Sequence, residues 1–264
     1  MLRSMYSGIS GMKNFQTKLD VIGNNISNVN TYGFKKGRTV FKDMVSQSIA
    51  GASGANAGKG GTNPKQVGLG AQLSAIDTIQ TQGSLQTTGR SLDLSISGDG
   101  FFQLTDGTNT YYSRAGNFYL DSEGTLVNSD GLAVVLEGEG LGENAKDAKS
   151  ISIGADGNIN YVNADGELVS AGVIQITKFS NPDGLEKVGA NLFSETTNSG
   201  DAENIGAPGE EGRGSLVAGA LEMSNVDLSE EFSEMIVAQR GFQANTRIIT
   251  TSDEILQELM SMKR

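Results

Sequence analysis

The side chains that could do chemistry in this chain are few, and each group of them has a plainer use. Gly54-Ala-Asn-Ala-Gly58-Lys59-Gly60 has the glycines and the lysine of a phosphate-binding loop. Its first glycine stands four residues before Gly58 rather than five, and no Ser or Thr follows Lys59 to hold magnesium, so a Gly-rich linker accounts for it. Asp156-Gly157-Asn158 and Asn163-Ala164-Asp165-Gly166-Glu167 suggest calcium, but neither fills a twelve-residue loop ending in a bidentate Glu, and hairpin turns explain both. Glu210 and Glu211 lie in a Gly-rich stretch with no aromatic neighbour in sequence to tune a catalytic pair, and read as solvated loop charges. The Met residues near the ends sit on helical faces, where flexible packing is their ordinary role. With no Cys and no His, the chain lacks the usual thiolate nucleophile, the usual base near neutral pH and the main zinc ligands. We therefore expect no catalytic residue, no metal and no cofactor, and not an enzyme.

A formal net charge of −11 speaks against a basic nucleic-acid-binding face. Lys13, Asn14, Lys18 and Asp20 interrupt any secretory signal in the first 30 residues. No run of about 18 apolar residues is present to span a membrane. Composition by itself predicts a cytosolic protein.

The elements that would position any site are helical ends around a strand-patterned middle. Met5, Met12, Leu19 and Ile26 recur every seven residues, with Leu2 and Ile9 three residues ahead of the first two. That heptad predicts one helix of about 28 residues, although Gln16 and Gly23 fall where apolar residues belong and Phe15, Ile22 and Val29 broaden the face. Asn28, Asn30, Thr31 and Gly33 supply the stop. At the other end Leu228, Met235, Phe242, Ile249 and Leu256 stand seven apart. Asp227 with Glu230 reads as a capping box, so the helix is predicted from 227 to 262, about 54 Å long. A second stripe, Ile248, Ile255 and Met262, lies beside the first. One seam suffices to pair two helices, so the extra stripe needs another partner: a neighbouring molecule, or the chain's own middle.

Residues 46–75 are poor in large apolar side chains and rich in Gly, Ser, Asn and Thr, which predicts a flexible or extended connector. From about 90 to 215, short runs predict strands: Ser91–Gly98, Thr110–Tyr112, Asn117–Leu120, Ala133–Leu136, Ser150–Ile153 and Gly172–Lys178. Asp-Gly pairs beginning at 99, 106, 130, 156, 165 and 183 mark hairpin turns between antiparallel strands. The predicted class is α+β, with residues 1–33 and 224–264 as a terminal helical core, 34–89 as an extended connector and 90–223 as a central antiparallel β domain.

The stretch Leu19-Asp20-Val21-Ile22-Gly23-Asn24-Asn25-Ile26-Ser27-Asn28-Val29-Asn30-Thr31-Tyr32-Gly33-Phe34-Lys35 resembles the signature of the flagellar rod and hook protein family, with Asn24, Asn25, Asn28, Gly33 and Phe34 as motif positions. The resemblance extends to Gly100-Phe101-Phe102, to Tyr112-Ser113-Arg114-Ala115-Gly116-Asn117-Phe118, and to Ser224-Asn225-Val226-Asp227-Leu228 leading into Met235-Ile236-Val237-Ala238-Gln239-Arg240. It implies a hollow tube of many copies, in which the long N- and C-terminal helices form a coiled-coil core lining the channel and the β domain faces outward. It also implies export through the flagellum's own export apparatus, which displaces the cytosolic default. The implied partners are the chain itself in a helical homopolymer, neighbouring rod, cap and hook-filament junction proteins, and the export apparatus, with no nucleic acid and no membrane insertion.

Within the family, Ile22–Ile26, Thr31–Lys35 and Ile236–Arg240 look more like the hook, a curved extracellular tube transmitting torque from rod to filament. The length looks more like the distal rod of the basal body, since the chain has no residues for the hook's additional outer domains, and distal rod proteins carry a stiffening insertion near 46–75. The motifs favour the hook, with the distal rod as the alternative. The expected polymer core contacts are Leu2, Met5, Ile9, Met12, Leu19, Ile26, Leu228, Met235, Phe242, Ile249 and Leu256. Outside the family, a carboxylate hydrolase would need a cleft with two placed acids, and a secreted adhesin-like binding module would have no use for about 65 residues of terminal helix.

Overall fold

A computed structural model of the chain describes residues 2–54, 60–138, 150–163, 166–200, 202 and 204–262. Lys59 of the phosphate-loop-like segment, Ala164 and Asp165 of the second acidic turn, and the Leu2 side chain lie outside that description. The chain forms two units, one built from Met1–Ser27, Gly37–Asp77 and Asp227–Arg264, the other from Asn28–Lys36 and Thr78–Val226.

The helical unit contains α1 (Leu2–Ser27), the strands β1 (Gly37–Asp43), β2 (Ser46–Ala50), β3 (Lys65–Gly68) and β4 (Ala71–Thr78), and α2 (Leu228–Met262). Asp227 starts α2 as its sequence context predicts: its carboxylate accepts hydrogen bonds from the backbone N–H of Ser229 at 2.8 Å and of Glu230 at 3.4 Å. The 35 residues of α2 make a rod of about 52 Å. The two helices run antiparallel, with Gly8 beside Ile249, Gly11 beside Asn245 and Phe15 beside Gly241.

The expected connector is extended but paired. β1 pairs with β4, β2 with β3 in antiparallel register, and a bridge joins Ser53 to Thr62, giving one long two-stranded ribbon. Its Gly and Ser content does not prevent pairing, because ladder hydrogen bonds use only backbone groups.

The β unit runs from β5 (Leu85–Thr87), β6 (Leu94–Ser97), β7 (Phe101–Thr105), β8 (Thr110–Ser113), β9 (Tyr119–Leu120) and β10 (Leu126–Val127) through β11 (Ala133–Val134), β12 (Leu136–Glu137), β13 (Ser150–Ile153), β14 (Asn158–Val162) and β15 (Leu168–Ile174). It ends with β16 (Ile176–Lys178), β17 (Glu186–Gly189), β18 (Leu192–Ser194), β19 (Asn204–Gly206), β20 (Ser215–Ala218) and β21 (Ala220–Glu222). A nine-stranded sheet is ordered β17-β18-β8-β7-β11-β10-β9, with β16 joining β7 to β19, and a four-stranded sheet is ordered β12-β15-β14-β13. β20 pairs with β6 and β21 with β5, so the last strands of the unit close on its first.

Successive residues of a strand face opposite sides, and β7 uses this to fill two cores. Phe102 enters the larger core with Leu94, Ile96, Phe118, Ile159 and Ile174, while Phe101 packs with Tyr112, Phe179, Leu185 and Phe193. Both phenylalanines meet neighbouring rings edge-on, Phe102 with Phe118 at 5.1 Å and Phe101 with Phe193 at 5.7 Å. The helical unit is thinner: Ile22 and Ala238 are its only buried hydrophobic side chains among the described residues.

Candidate assembly surfaces and a buried charge cluster

The line along which α1 and α2 approach most closely passes through small residues. A Cβ on Gly11 would stand 2.8 Å from Asn245 Oδ1, and one on Gly241 would stand 2.5 Å from the Phe15 ring. On α2 the buried positions are Glu231, Ala238 and Ser252, which with Asn245 are again spaced by sevens. The predicted contact residues Met5, Met12, Leu19 and Ile26 on α1, and Met235, Phe242, Ile249 and Leu256 on α2, are half-buried along this line. Ile9 and Leu228 are exposed, at 38% and 39%. The contact is therefore a heptad seam with small or polar residues at its centre and larger apolar ones beside it. Lys18 pairs with Glu234 across it, and the Thr246 hydroxyl contacts Met12 Sδ at 3.4 Å.

The second stripe of α2 is left largely open to solvent, and Leu259 extends it. Ile248 is 46% exposed, Ile255 43%, Leu259 50% and Met262 82%. Burying an apolar side chain of this size contributes roughly 1.5–3 kcal/mol, so a stripe left in water is a strong candidate for contact with other molecules. The ribbon adds Val45, Ile49 and Ile76, also exposed.

The motif positions have distinct structural work. Asn25 is buried where α1 hands over to the ribbon: its Oδ1 accepts from Gly37 N at 2.9 Å, while its Nδ2 donates to Gly37 O at 2.9 Å and to Glu231 of α2 at 3.2 Å. Asn28 opens the turn that follows α1, its carbonyl and side-chain oxygens accepting from the Thr31 N–H and hydroxyl, each at 3.1 Å. The Asn24 carbonyl accepts from the Ser27 hydroxyl. Gly33 has φ +69°, a Cβ there would stand 2.5 Å from Ala115 N, and its N–H donates to Glu222 O at 2.8 Å. The Phe34 ring lies 5.1 Å from Lys187 Nζ. Asn225 accepts from Lys36 N and donates to Ile79 O, holding two distant segments of the β unit together.

The segment after Gly33 leads to a feature that sequence reasoning missed. Lys35 is wholly buried and donates to Glu222 at 2.6 Å and to Thr81 O at 2.8 Å. Glu222, also wholly buried, takes further hydrogen bonds from Gly83 N at 2.9 Å and Arg114 at 3.4 Å, and Arg114 also donates to Gly98 O at 3.0 Å. Two cations and one carboxylate are thus shut away from water. Burial pushes the Lys35 ammonium below its ordinary range, against the pull of Glu222, with Arg114 adding to the fall. Lys35 and Arg114 both stand inside the motifs quoted above, whereas Glu222 was singled out by none; a charged residue after the apolar pair Leu221 and Ala220 is the one local signal it offered.

Asp156 and Asn158 bond each other within the β13–β14 hairpin, and Glu210 and Glu211 are exposed, both near Arg213. What the molecule presents is interlocked motifs inside and apolar stripes outside.

Comparison with known proteins agrees in every part of the chain. Residues 5–35 match a family model described as flagella basal body rod protein, 95–161 the flagellar hook protein FlgE/F/G D1 domain, and 217–262 the flagellar basal body rod FlgEFG protein C-terminal. The flagellar basal-body rod protein FlgG of Bacillus subtilis is 61% identical over 264 residues, covering all of both chains. FlgG of Borreliella burgdorferi is 41% identical over 271 positions, again covering both chains fully. The flagellar hook protein FlgE of the same organism is 32% identical, in an alignment that needs 442 positions to cover both chains. The chain belongs to the flagellar rod and hook protein family, whose members are structural components of the flagellum's axial structure.

Proposed function

We propose that the chain is the distal rod subunit of the flagellar basal body, a structural protein that polymerises into a straight hollow tube. The observation that carries this reading is the 61% identity to a FlgG over the full length of both chains. The match to a hook protein is weaker and leaves much of the longer hook chain without a counterpart here. The higher identity to a FlgG over the full length of both chains outweighs the motifs that favoured the hook, so the hook reading gives way to its alternative.

In the proposed polymer the α1–α2 pair forms the inner wall. Leu2, Met5, Ile9, Met12, Leu19, Ile26, Leu228, Met235, Phe242, Ile249 and Leu256 contribute its apolar packing, and the outer stripe of α2 meets neighbouring copies. The paired ribbon, with its exposed Val45, Ile49 and Ile76, supplies further apolar contact of the kind that stiffens a tube against bending. Export through the flagellar apparatus and contacts with the adjoining rod and hook proteins complete the reading.

Replacement in Bacillus subtilis tests it. The chain installed in place of that organism's FlgG is expected to restore motility, and installed in place of its hook protein is expected not to. Rescue of the hook replacement alone would overturn the proposal.

A further inference from the structure

The ribbon lies close on α1, and a groove opens between them. Gly70 makes the approach possible: its φ is +126°, and a Cβ there would stand 2.3 Å from Ser10 Oγ and 3.5 Å from Ser7 Cα. At this point Met44 N donates to Gly70 O at 2.9 Å, holding the two ribbon strands together over the helix. The resulting groove, about 400 Å³, is floored by Tyr6, Ile9, Met44 and Leu69, with Arg3 and Lys13 at its edges. All four floor residues keep substantial exposure, Tyr6 as much as 67%.

The same unit carries a shape of opposite character. Because Gly8 lies beside Ile249 in an antiparallel pair, α1 runs out level with Ile255, six residues further along each helix. The last turns of α2 therefore project past α1. They carry Ile255, Leu259 and Met262 on one face, since i, i+4 and i+7 share a side of a helix, with the exposed carboxylates Glu254 and Glu258 along that face's edge. This end cannot enter its own groove. α2 is unbroken from Leu228 to Met262 and leads away from Ile9 and Lys13, which lie level with the middle of the pair.

We propose that the groove formed by α1 and the ribbon receives the projecting end of α2 from a second copy of the chain, apolar face inward, with Glu254 and Glu258 against Arg3 and Lys13. This deepens the polymer reading above and rests on it. An apolar groove rimmed by cations and an apolar helix edged by carboxylates are complementary in both respects. Groove and helix end are different parts of the surface, so the contact is head-to-tail, and such contacts extend into open polymers rather than closing as dimers.

The native chain has no Cys, which makes disulfide trapping clean. Tyr6→Cys and Leu259→Cys chains, mixed in a salting-out buffer and mildly oxidised, are expected to give a crosslinked heterodimer, and the double variant a ladder of oligomers. Tubes visible by electron microscopy without that product would overturn the groove contact while leaving the polymer reading intact. Absence of both tubes and product would overturn both, and a Leu259→Cys homodimer from that chain alone would overturn the head-to-tail geometry. Independently, Arg3→Glu with Lys13→Glu is expected to raise the concentration needed for assembly by about 10-fold or more, with recovery on adding the Glu254→Lys, Glu258→Lys chain. Assembly unchanged by the first pair, or no recovery with the second, would count against the charge pairing.

Discussion

Glu222→Gln should be the most damaging single change in the β unit. The substitution keeps the size and one acceptor but removes the charge between Lys35 and Arg114, leaving Lys35 buried without a counterion and Arg114 with the charge of Asp99 alone. Breaking a buried ion pair in this way costs about 3–5 kcal/mol. Against a domain stability of roughly 5–15 kcal/mol, that is a large share. With a urea dependence of about 1–3 kcal/mol per molar, the unfolding midpoint should fall by at least ~1 M, read by circular dichroism. The sign of the pH dependence is also determined. Lys35 has a folded-state pKa below its ordinary 10.5, so between the two values the unfolded chain binds more protons and stability rises with pH. Losing Glu222 removes the group that holds the Lys35 pKa up, so the pH window over which stability rises extends further below that of the parent. Lys35→Met added to Glu222→Gln removes one stranded cation and should recover part of the loss. A Glu222→Gln midpoint within ~0.2 M of the parent would refute the reasoning, since a screened surface pair is worth only about 0–1 kcal/mol.

Tyr112 offers a second pH test: burial, reinforced by the nearby Glu195 carboxylate, pushes its phenol from 10.0 up to about 12. Its favourable contribution is complete below pH 10 and lost as pH rises toward 12, so phenolate absorbance should show a late-titrating component that is absent in Tyr112→Phe. Gly33→Ala places a methyl on a positive-φ backbone 2.5 Å from Ala115 N, and should lower β-unit stability by about 2 kcal/mol or more in a denaturant titration; a loss under ~0.5 kcal/mol would show that the contact relaxes freely. Phe242→Asp puts a charge on the half-buried flank of the helical seam and should abolish tubes while the β unit unfolds at its usual midpoint; normal tubes from that variant would remove Phe242 from the assembly surface.

The long helices were legible because a seven-residue period repeated over so many turns is a local signal that no other structure needs. The α2 start came from Asp227, and structure and sequence agree there to one residue. The seam's centre was less legible. Reading apolar periodicity gives no weight to Gly8, Gly11 and Gly241, yet helices approach closest where side chains are smallest. Three of the Asp-Gly pairs, beginning at 106, 130 and 156, do lie in hairpins, each with its glycine at positive φ, while the pair beginning at 165 has its Asp outside the described residues. Asp99-Gly100 instead lies between two strands that do not pair with each other, and Asp183-Gly184 ends a 3-10 turn begun by Pro182. The ribbon was hidden because its composition is that of a linker. The charge cluster was hidden by distance along the chain: Lys35, Arg114 and Glu222 meet only after the β unit has closed its last strands on its first.

Electron microscopy of the purified chain, concentrated in a buffer that strengthens apolar association, addresses the distal-rod reading most directly. Straight hollow tubes are the predicted result. Curved tubes would return the chain to the hook, and persistent monomers at concentrations where the exposed stripes of α2 should associate would contradict the axial assembly altogether.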